Sequence, residues 1–121
     1  MRVEVTTRQV GDVAIVDLRG RLVVGEESAA VRRQVRDLLL QGNKKLLLNL
    51  SQVDYIDSSG LGDLVGAFSS ARKQGGELKL LCPGNKFDYL MQITKLALLI
   101  DVMDDEASAV KSFGQSTAAT A

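Results

Sequence analysis

The sequence predicts a single α/β domain, with a mixed sheet of about four to five strands packed by about four helices. Three observations support this prediction. Short apolar or β-branched runs alternate along the chain with longer segments of helical periodicity. A turn signal at Gly11-Asp12 joins the first two runs as a hairpin. The chain has 121 residues, of which 45% are apolar, and this fits one hydrophobic core.

The amino-terminal half is predicted to form the hairpin and one helix. Residues 3–8 and 12–19 flank the turn signal and are rich in apolar and β-branched side chains, as expected of two strands. Gly20 is predicted to interrupt the second strand, and the residues after it either extend the strand or lead out of it. Residues 26–41 carry apolar side chains at helical spacing before a stop signal, so a helix is predicted there.

The carboxyl-terminal half is predicted to alternate strands and helices. The apolar run at residues 45–50 predicts a strand covered on both faces. A second helix is predicted to begin at Ser58 or Ser59 and to end near residue 73, before Gly75-Gly76. The later predicted elements are a strand at 77–82, a helix at 86–94, an edge strand at 98–102 and a helix at 104–113. The domain therefore spans residues 1–113, and a flexible tail is expected at 114–121.

The composition argues against several classes of function. Lysine and arginine together number 15, as do aspartate and glutamate, so no overall charge attracts nucleic acid. The chain has no histidine, which excludes a Ser-His-Asp triad, a Cys-His pair and histidine metal sites. We expect no cofactor and no metal. Cys82 ends an apolar stretch and is expected in the core of a protein kept in a reducing cytoplasm. No stretch approaches the ~18 apolar residues of a membrane helix, so no membrane insertion is expected.

The Asp57-Ser58-Ser59-Gly60-Leu61-Gly62 segment is the candidate functional site. It follows a buried strand and opens an amphipathic helix, so it lies at the carboxyl end of the sheet, where ligands usually bind in α/β folds. A helix-capping turn alone explains any two of these residues, because Asp and Ser are both good N-caps. However, three consecutive capping candidates are present, and Gly60, Gly62 and Gly66 each cost the helix about 1 kcal/mol relative to Ala. This pattern suggests either close packing against the sheet or close approach of another molecule.

Two stretches of the chain resemble a known family. They are Lys45-Leu46-Leu47-Leu48-Asn49-Leu50 and Val53-Asp54-Tyr55-Ile56-Asp57-Ser58-Ser59-Gly60-Leu61-Gly62. Together they resemble the signature of the STAS domain, the family of bacterial anti-sigma factor antagonists. The run Gly75-Gly76-Glu77-Leu78-Lys79-Leu80 is similar to the next helix-to-strand turn of that family. The resemblance extends from about Val3 to Phe113 and implies a STAS-like fold for the whole domain.

The resemblance also implies a function and a set of residues. Family members bind an anti-sigma factor, often also an ATP-dependent serine kinase, and so release a sigma factor. The kinase phosphorylates the first hydroxyl residue after the motif acid, which maps to Ser58, and a serine phosphatase reverses the mark. The partner-binding residues implied are Asp57, Ser58, Ser59, Gly60, Leu61, Gly62, Asp63, Gly66, Val24 and Glu26.

Electrostatics sets how a phosphate at Ser58 would act. A phosphoserine adds about −1.5 to −2 charges near neutral pH, and a helix N-terminus accommodates such a charge. The fold is therefore expected to survive phosphorylation, and the phosphate is expected to act on the partner. Asp57 and Asp63 are expected to make the surrounding surface acidic already. Asp63 departs from the aliphatic residue that is frequent in the family, so it is either a solvent-facing helix residue or a residue that selects the partner.

A response-regulator receiver domain is one alternative, with Asp57 as the phosphoacceptor after a central strand. A receiver needs an acidic pair after its first strand to hold Mg²⁺. The early strands here end in Arg8-Gln9 and Arg19-Gly20, which disfavours this reading. Stable acyl-phosphate formation from a small phosphodonor would support it.

An enzyme with Ser58 or Ser59 as nucleophile is a second alternative. Without histidine, a lysine or carboxylate base would be required, and Lys44 and Lys45 lie at the opposite end of the preceding strand. The chain has neither a Gly-x-Ser-x-Gly elbow nor a Walker A lysine. The sequence therefore favours a binding protein over an enzyme.

A third alternative keeps the same fold but removes the switch. Some STAS domains are unphosphorylated docking parts of transport, lipid-trafficking or stress-sensing complexes. Mass spectrometry after incubation with the cognate kinase and ATP separates this reading from the phosphorylation switch.

Overall fold

A mixed five-stranded sheet lies at the centre of the residues that the computed structural model describes, which are 3–23, 26–84 and 86–119. Within these ranges, the side chains of 26–28, 97 and 114–119 are not described. The strands follow one another across the sheet in chain order, the first pair antiparallel and every later pair parallel. They are β1 (Glu4–Val10), β2 (Val13–Leu22), β3 (Lys45–Ile56), β4 (Glu77–Leu81) and β5 (Val102–Met103).

Helices connect the parallel strands, because parallel neighbours cannot be joined by a tight turn. The helices are α1 (Glu26–Leu40), α2 (Ser58–Lys73), α3 (Asp88–Thr94) and α4 (Glu106–Ala119), with a 3₁₀ helix (Leu96–Leu98) before β5. Among the described residues, no helix combines the length and the apolarity needed to cross a membrane. The mixed α/β fold and the predicted order of strands and helices are confirmed.

The sheet is covered on both faces. Side chains that alternate along a strand point to opposite faces, so β2 and β3 contribute to two separate cores. Leu46 and Leu48 belong to the main core, under α1 and α2, whereas Leu47 packs in the second core with Ala109 and Phe113 of α4. The prediction that the run at 45–50 is a strand buried on both faces is therefore confirmed.

β3 is longer than the sequence predicted, and β2 follows the longer of the two courses left open after Gly20. Both extensions reach the candidate site. Gly20 has a φ of 107° but does not end β2, which continues to Leu22 with irregular pairing on either side of the glycine. This extension provides a hydrogen-bonding partner for the end of β3, which continues beyond residue 50 to Ile56. The bulged ends of β2 and β3 therefore lie side by side immediately before α2.

The carboxyl-terminal boundaries also differ from the prediction. The edge strand predicted at 98–102 is only Val102–Met103, because the amides of Leu99 and Ile100 both donate to the Leu96 carbonyl instead of the sheet. The last helix begins at Glu106 and continues past residue 113 to Ala119. Residues 114–119, predicted to be a tail, are therefore helical, and their flexibility stays a prediction.

Candidate functional site

Asp57 is the N-cap of α2. Its backbone is extended, with φ −100° and ψ −177°, and its carboxylate Oδ1 accepts a 2.8 Å hydrogen bond from the Gly60 amide. Its own amide donates to the Leu22 carbonyl over 3.2 Å, which ties the loop to the end of β2. Since Asp57 supplies the cap, the hydroxyls of Ser58 and Ser59 are not required for that purpose.

Ser58 and Ser59 are the first two residues of α2, and both are exposed. The helix was predicted to begin at one of them, and it begins at Ser58. Two hydroxyl groups therefore lie at the positive end of a helix dipole, at the carboxyl edge of the sheet. This arrangement gives a macromolecule or a modifying enzyme direct access to either hydroxyl.

The three glycines of α2 have different surroundings. A Cβ at position 60 would overlap the carbonyl group of Leu22, so Gly60 is required for packing against β2. A Cβ at position 66 would lie 3.5 Å from Nε of Arg32, which is an ordinary contact. A Cβ at position 62 would meet nothing within 4 Å. Packing against the sheet therefore explains Gly60, whereas the described residues give no structural reason for Gly62.

Leu61 and Asp63 are less exposed than a partner-facing role suggests. Leu61 is 8% exposed and belongs to the main core. The side chain of Asp63 is 13% exposed, and its Oδ1 forms an ion pair of 3.8 Å with Nη1 of Arg32 on α1. Its Oδ2 atom is buried without a hydrogen-bond partner among the described residues. Of the two readings left open for Asp63, the solvent-facing one is therefore wrong, because the carboxylate lies between α2 and α1. Its role in selecting the partner stays a prediction.

The expectation of an acidic surface around Ser58 needs the same correction. The carboxylate of Asp57 is used for capping and that of Asp63 is covered beside Arg32. Arg32 itself has a side chain that is 63% exposed. The group presented to solvent by this ion pair is therefore the guanidinium.

The sequence did not single out a second arginine near the site. Arg21 is paired with Tyr55 in the parallel register of β2 and β3, and its guanidinium carbon lies 4.9 Å from the centre of the Tyr55 ring. Tyr55 is 48% exposed. Only the cross-strand register reveals this stacked pair, since the two residues lie far apart in the chain.

The loop between β4 and α3 is held against the same edge of the sheet. Nζ of Lys86 donates a 2.8 Å hydrogen bond to the Val53 carbonyl, where β3 approaches its end. Nζ also lies 5.6 Å from the centre of the Phe87 ring. These contacts fix the end of β3, and with it the start of α2.

Two predicted border residues cannot be placed in the site. Val24 lies outside the described residues. Glu26 is the first residue of α1, but its side chain is not among those described. Their predicted role in partner binding stays a prediction.

The described residues offer little for a cofactor or metal. They contain no group of three or more acidic, cysteine or histidine side chains arranged to hold a metal ion. Cys82 is 7% exposed, and burial raises the pKa of its thiol. A cleft of about 320 Å³ lies between the end of α2 and the start of β4, and its lining residues do not include Ser58 or Ser59.

Comparison with known proteins identifies what this arrangement resembles. The STAS domain family model matches residues 4–109. An anti-sigma-B factor antagonist from Bacillus subtilis is 35% identical over 102 residues, which are 84% of this chain and 92% of that relative.

Solved structures agree with this match. A Thermotoga maritima protein, solved as a candidate anti-sigma factor antagonist, superposes with a TM-score of 0.81 at 28% identity, covering 90% of this chain and 93% of that one. The Bacillus cell fate determinant SpoIIAA in its phosphorylated form superposes with a TM-score of 0.68 at 20% identity, covering 90% of this chain and 98% of that one. The second likeness is one of fold.

Proposed function

We propose, since this chain belongs to the STAS domain family, that it acts as an anti-sigma factor antagonist controlled by phosphorylation of Ser58. In its unmodified form it binds an anti-sigma factor that is also a serine kinase, and so releases a sigma factor. Phosphorylation of Ser58 by that partner ends the binding, and a serine phosphatase restores it. The protein works in the cytoplasm, as a binding protein and not as an enzyme.

The capping contact of Asp57 carries the proposal for this site. Because the Asp57 carboxylate already accepts the Gly60 amide at 2.8 Å, the hydroxyl of Ser58 is exposed at the first turn without a capping duty. A phosphate there meets the positive end of the helix dipole and free backbone N–H groups. The modified chain therefore keeps its fold, and phosphorylation changes only the surface that the partner contacts.

The size of the effect on the partner follows from charge. A phosphoserine brings about −1.5 to −2 charges and three acceptor oxygens to the centre of the contact surface. Misplaced like charge at an interface costs several kcal/mol, and about 1.4 kcal/mol changes affinity tenfold. We therefore expect phosphorylation of Ser58 to weaken partner binding by about two to three orders of magnitude.

The binding surface is centred on the exposed first turns of α2. Ser58, Ser59 and Gly62 are its exposed members, while Gly60 and Leu61 support it from below. Because the described residues leave the space over Gly62 open, the backbone of the partner can approach α2 closely at this position.

The decisive experiment is a pull-down from the source cells with the wild-type chain and the variants Ser58→Ala and Ser58→Asp. We expect wild type and Ser58→Ala to capture a protein that, with ATP, phosphorylates Ser58 of the wild-type chain. Ser58→Asp is expected to capture much less of it. Ser59→Ala is the matched control, because it also removes an exposed hydroxyl from the first turn of α2.

Two results would contradict the proposal. One is a captured protein that binds phosphorylated and unmodified chain equally well. The other is a captured protein that leaves Ser58 unmodified in the presence of ATP, which would favour an unphosphorylated docking domain of the same fold.

A further inference from the structure

Two exposed arginine side chains lie near the candidate segment, on opposite faces of the sheet. Leu22 packs in the main core, so Arg21 beside it points to the face of the sheet that carries α4. Arg32 lies on α1, which covers the other face, and its Nη1 is 3.8 Å from the Asp63 carboxylate. Arg21 is paired with Tyr55, three residues before Ser58, and Arg32 contacts Asp63, five residues after it.

The two partners of the ion pair between Arg32 and Asp63 differ in exposure. The carboxylate side chain is 13% exposed, whereas the guanidinium side chain is 63% exposed. The arginine crosses α2 over Gly66, where a Cβ would already be 3.5 Å from Nε. The guanidinium of Arg32 therefore lies against α2 beside the covered Asp63 carboxylate and stays largely accessible to solvent.

The guanidinium of Arg21 lies over an aromatic ring. Its guanidinium carbon lies 4.9 Å from the centre of the Tyr55 ring. Stacking on an aromatic face leaves the N–H donors around the edge of a guanidinium free to bind carboxylates. Arg21 is exposed, so these donors are accessible to another molecule.

The acids closest to Ser58 in the chain do not balance these arginines at the surface. Asp57 accepts a hydrogen bond from Gly60, and Asp63 is covered. Asp54, near the end of β3, is exposed. Of these three acids only Asp54 is exposed, whereas the side chains of both Arg21 and Arg32 are.

We propose that the surface around Ser58 binds a partner through acidic side chains of that partner, with Arg21 and Arg32 as the two cationic contacts. The inference rests on the proposed function for the place of binding and adds the chemistry of the partner. It also explains how the phosphate acts. A phosphate at Ser58 repels the carboxylates of the partner and competes with them for the same two guanidinium groups.

Zero-length crosslinking tests this chemistry directly. In Arg21→Lys and Arg32→Lys the positive charge is kept, and a carbodiimide joins the new lysine amine to a touching carboxylate as an amide, with loss of water. We expect crosslinks to Asp or Glu of the captured partner, mapped by mass spectrometry. Arg33→Lys is the matched control, because Arg33 is also exposed on α1 but is rotated about 100° from Arg32.

Affinity measurements give the second readout. Arg21→Ala should weaken binding of the captured partner about tenfold and reduce its dependence on salt. Arg32→Ala is made together with Asp63→Asn, since an unpaired buried carboxylate would destabilise the fold, and the same loss is expected. Asp54→Asn should leave binding unchanged or make it tighter.

The outcomes separate this inference from the proposed function. Wild-type affinity in the arginine variants without crosslinks to carboxylates, or weaker binding in Asp54→Asn, would overturn the inference. A partner that crosslinks as expected but does not phosphorylate Ser58 would contradict the proposed function and support the inference. Failure of wild type to capture any protein would count against both.

Discussion

Gly60 packs so closely against Leu22 that any Cβ at position 60 would overlap the Leu22 carbonyl group. The same carbonyl accepts a 3.2 Å hydrogen bond from the amide of Asp57. The last residue of β2 therefore fixes both the cap and the first turn of α2. Glycine is unfavourable in a helix, but at position 60 the absence of a Cβ lets α2 approach β2 closely.

Replacing Gly60 with Ala is therefore expected to destabilise the protein. The clash is with backbone and not with a flexible side chain, so it is relieved only by moving β2 or α2. Such overpacking usually costs about 1–3 kcal/mol in free energy of unfolding. Urea denaturation followed by circular dichroism measures this cost. Unchanged stability in Gly60→Ala would show that α2 can shift away from Leu22 freely.

Gly62→Ala is expected to have the opposite effect on stability. The new methyl group meets no described residue within 4 Å, and Ala is favoured over Gly in a helix by about 1 kcal/mol. The free energy of unfolding should therefore rise by up to that amount. If the partner approaches α2 here, its affinity should fall in the same variant. A stabilised variant with wild-type affinity would exclude Gly62 from the contact surface.

The cap gives a third prediction. Asp57→Ala removes the carboxylate that accepts the Gly60 amide at 2.8 Å, so a loss of about 1 kcal/mol in the free energy of unfolding is expected. Ser58→Ala removes a neighbouring exposed oxygen that does not serve as the cap, so its stability should stay close to wild type. Equal losses in the two variants would indicate that Ser58 shares the capping role.

Local sequence signals identified the candidate segment but not the contacts around it. Asp57 as a capping residue and Ser58 near the helix start could be predicted because caps depend on neighbouring residues. The ion pair of Arg32 with Asp63 could not, because it depends on how α1 and α2 pack across the sheet. Two expectations failed for this reason, namely the solvent-facing Asp63 and the acidic surface.

The strands, too, could be predicted only in part from local sequence patterns. The apolar run at 45–50 predicted a buried strand, but the continuation of β3 to Ile56 depends on pairing with residues beyond Gly20. Two register shifts decide that pairing, because β3 has one extra residue between Asn49 and Gln52 and another between Val53 and Tyr55, and no local pattern predicts them. The stacking of Arg21 on Tyr55 follows from that register.

A pH-dependent loss of stability is expected from the contacts that attach α4 to the hairpin. Arg8 donates to Asp17 over 2.7 Å and to Glu106 over 2.6 Å. Burial alone would raise the pKa of Asp17, but hydrogen bonds from Arg8 and Asn49 bring it below its ordinary value. The hydrogen bond from Arg8 lowers the pKa of Glu106 as well.

The sign of the effect follows from these shifts. Carboxyl groups whose pKa is lowered on folding stabilise the protein above their unfolded pKa values, which are 3.8 for Asp17 and 4.5 for Glu106. This contribution is lost as the pH falls through the lowered values in the folded state. The melting temperature of wild type should fall below about pH 4.5, and that of Arg8→Met should depend less steeply on pH. The same acid slope in Arg8→Met would rule out the Arg8 contacts as its cause.

Ser58→Asp should weaken partner binding without destabilising the fold. A carboxylate in the first turn of α2 interacts favourably with the helix dipole, so the melting temperature should stay unchanged or rise slightly. In the chain the new charge lies between Tyr55, which contacts Arg21, and Asp63, which contacts Arg32, and there it competes with an acidic partner, so the affinity for the captured partner should fall by about tenfold or more. Ser59→Asp is the matched control, with the same charge on the next exposed residue of the helix. Equal losses of affinity in the two variants would mean that the partner senses the total charge of the first turn and not its position at Ser58. A lowered melting temperature in Ser58→Asp would instead show that the charge acts by unfolding the start of α2.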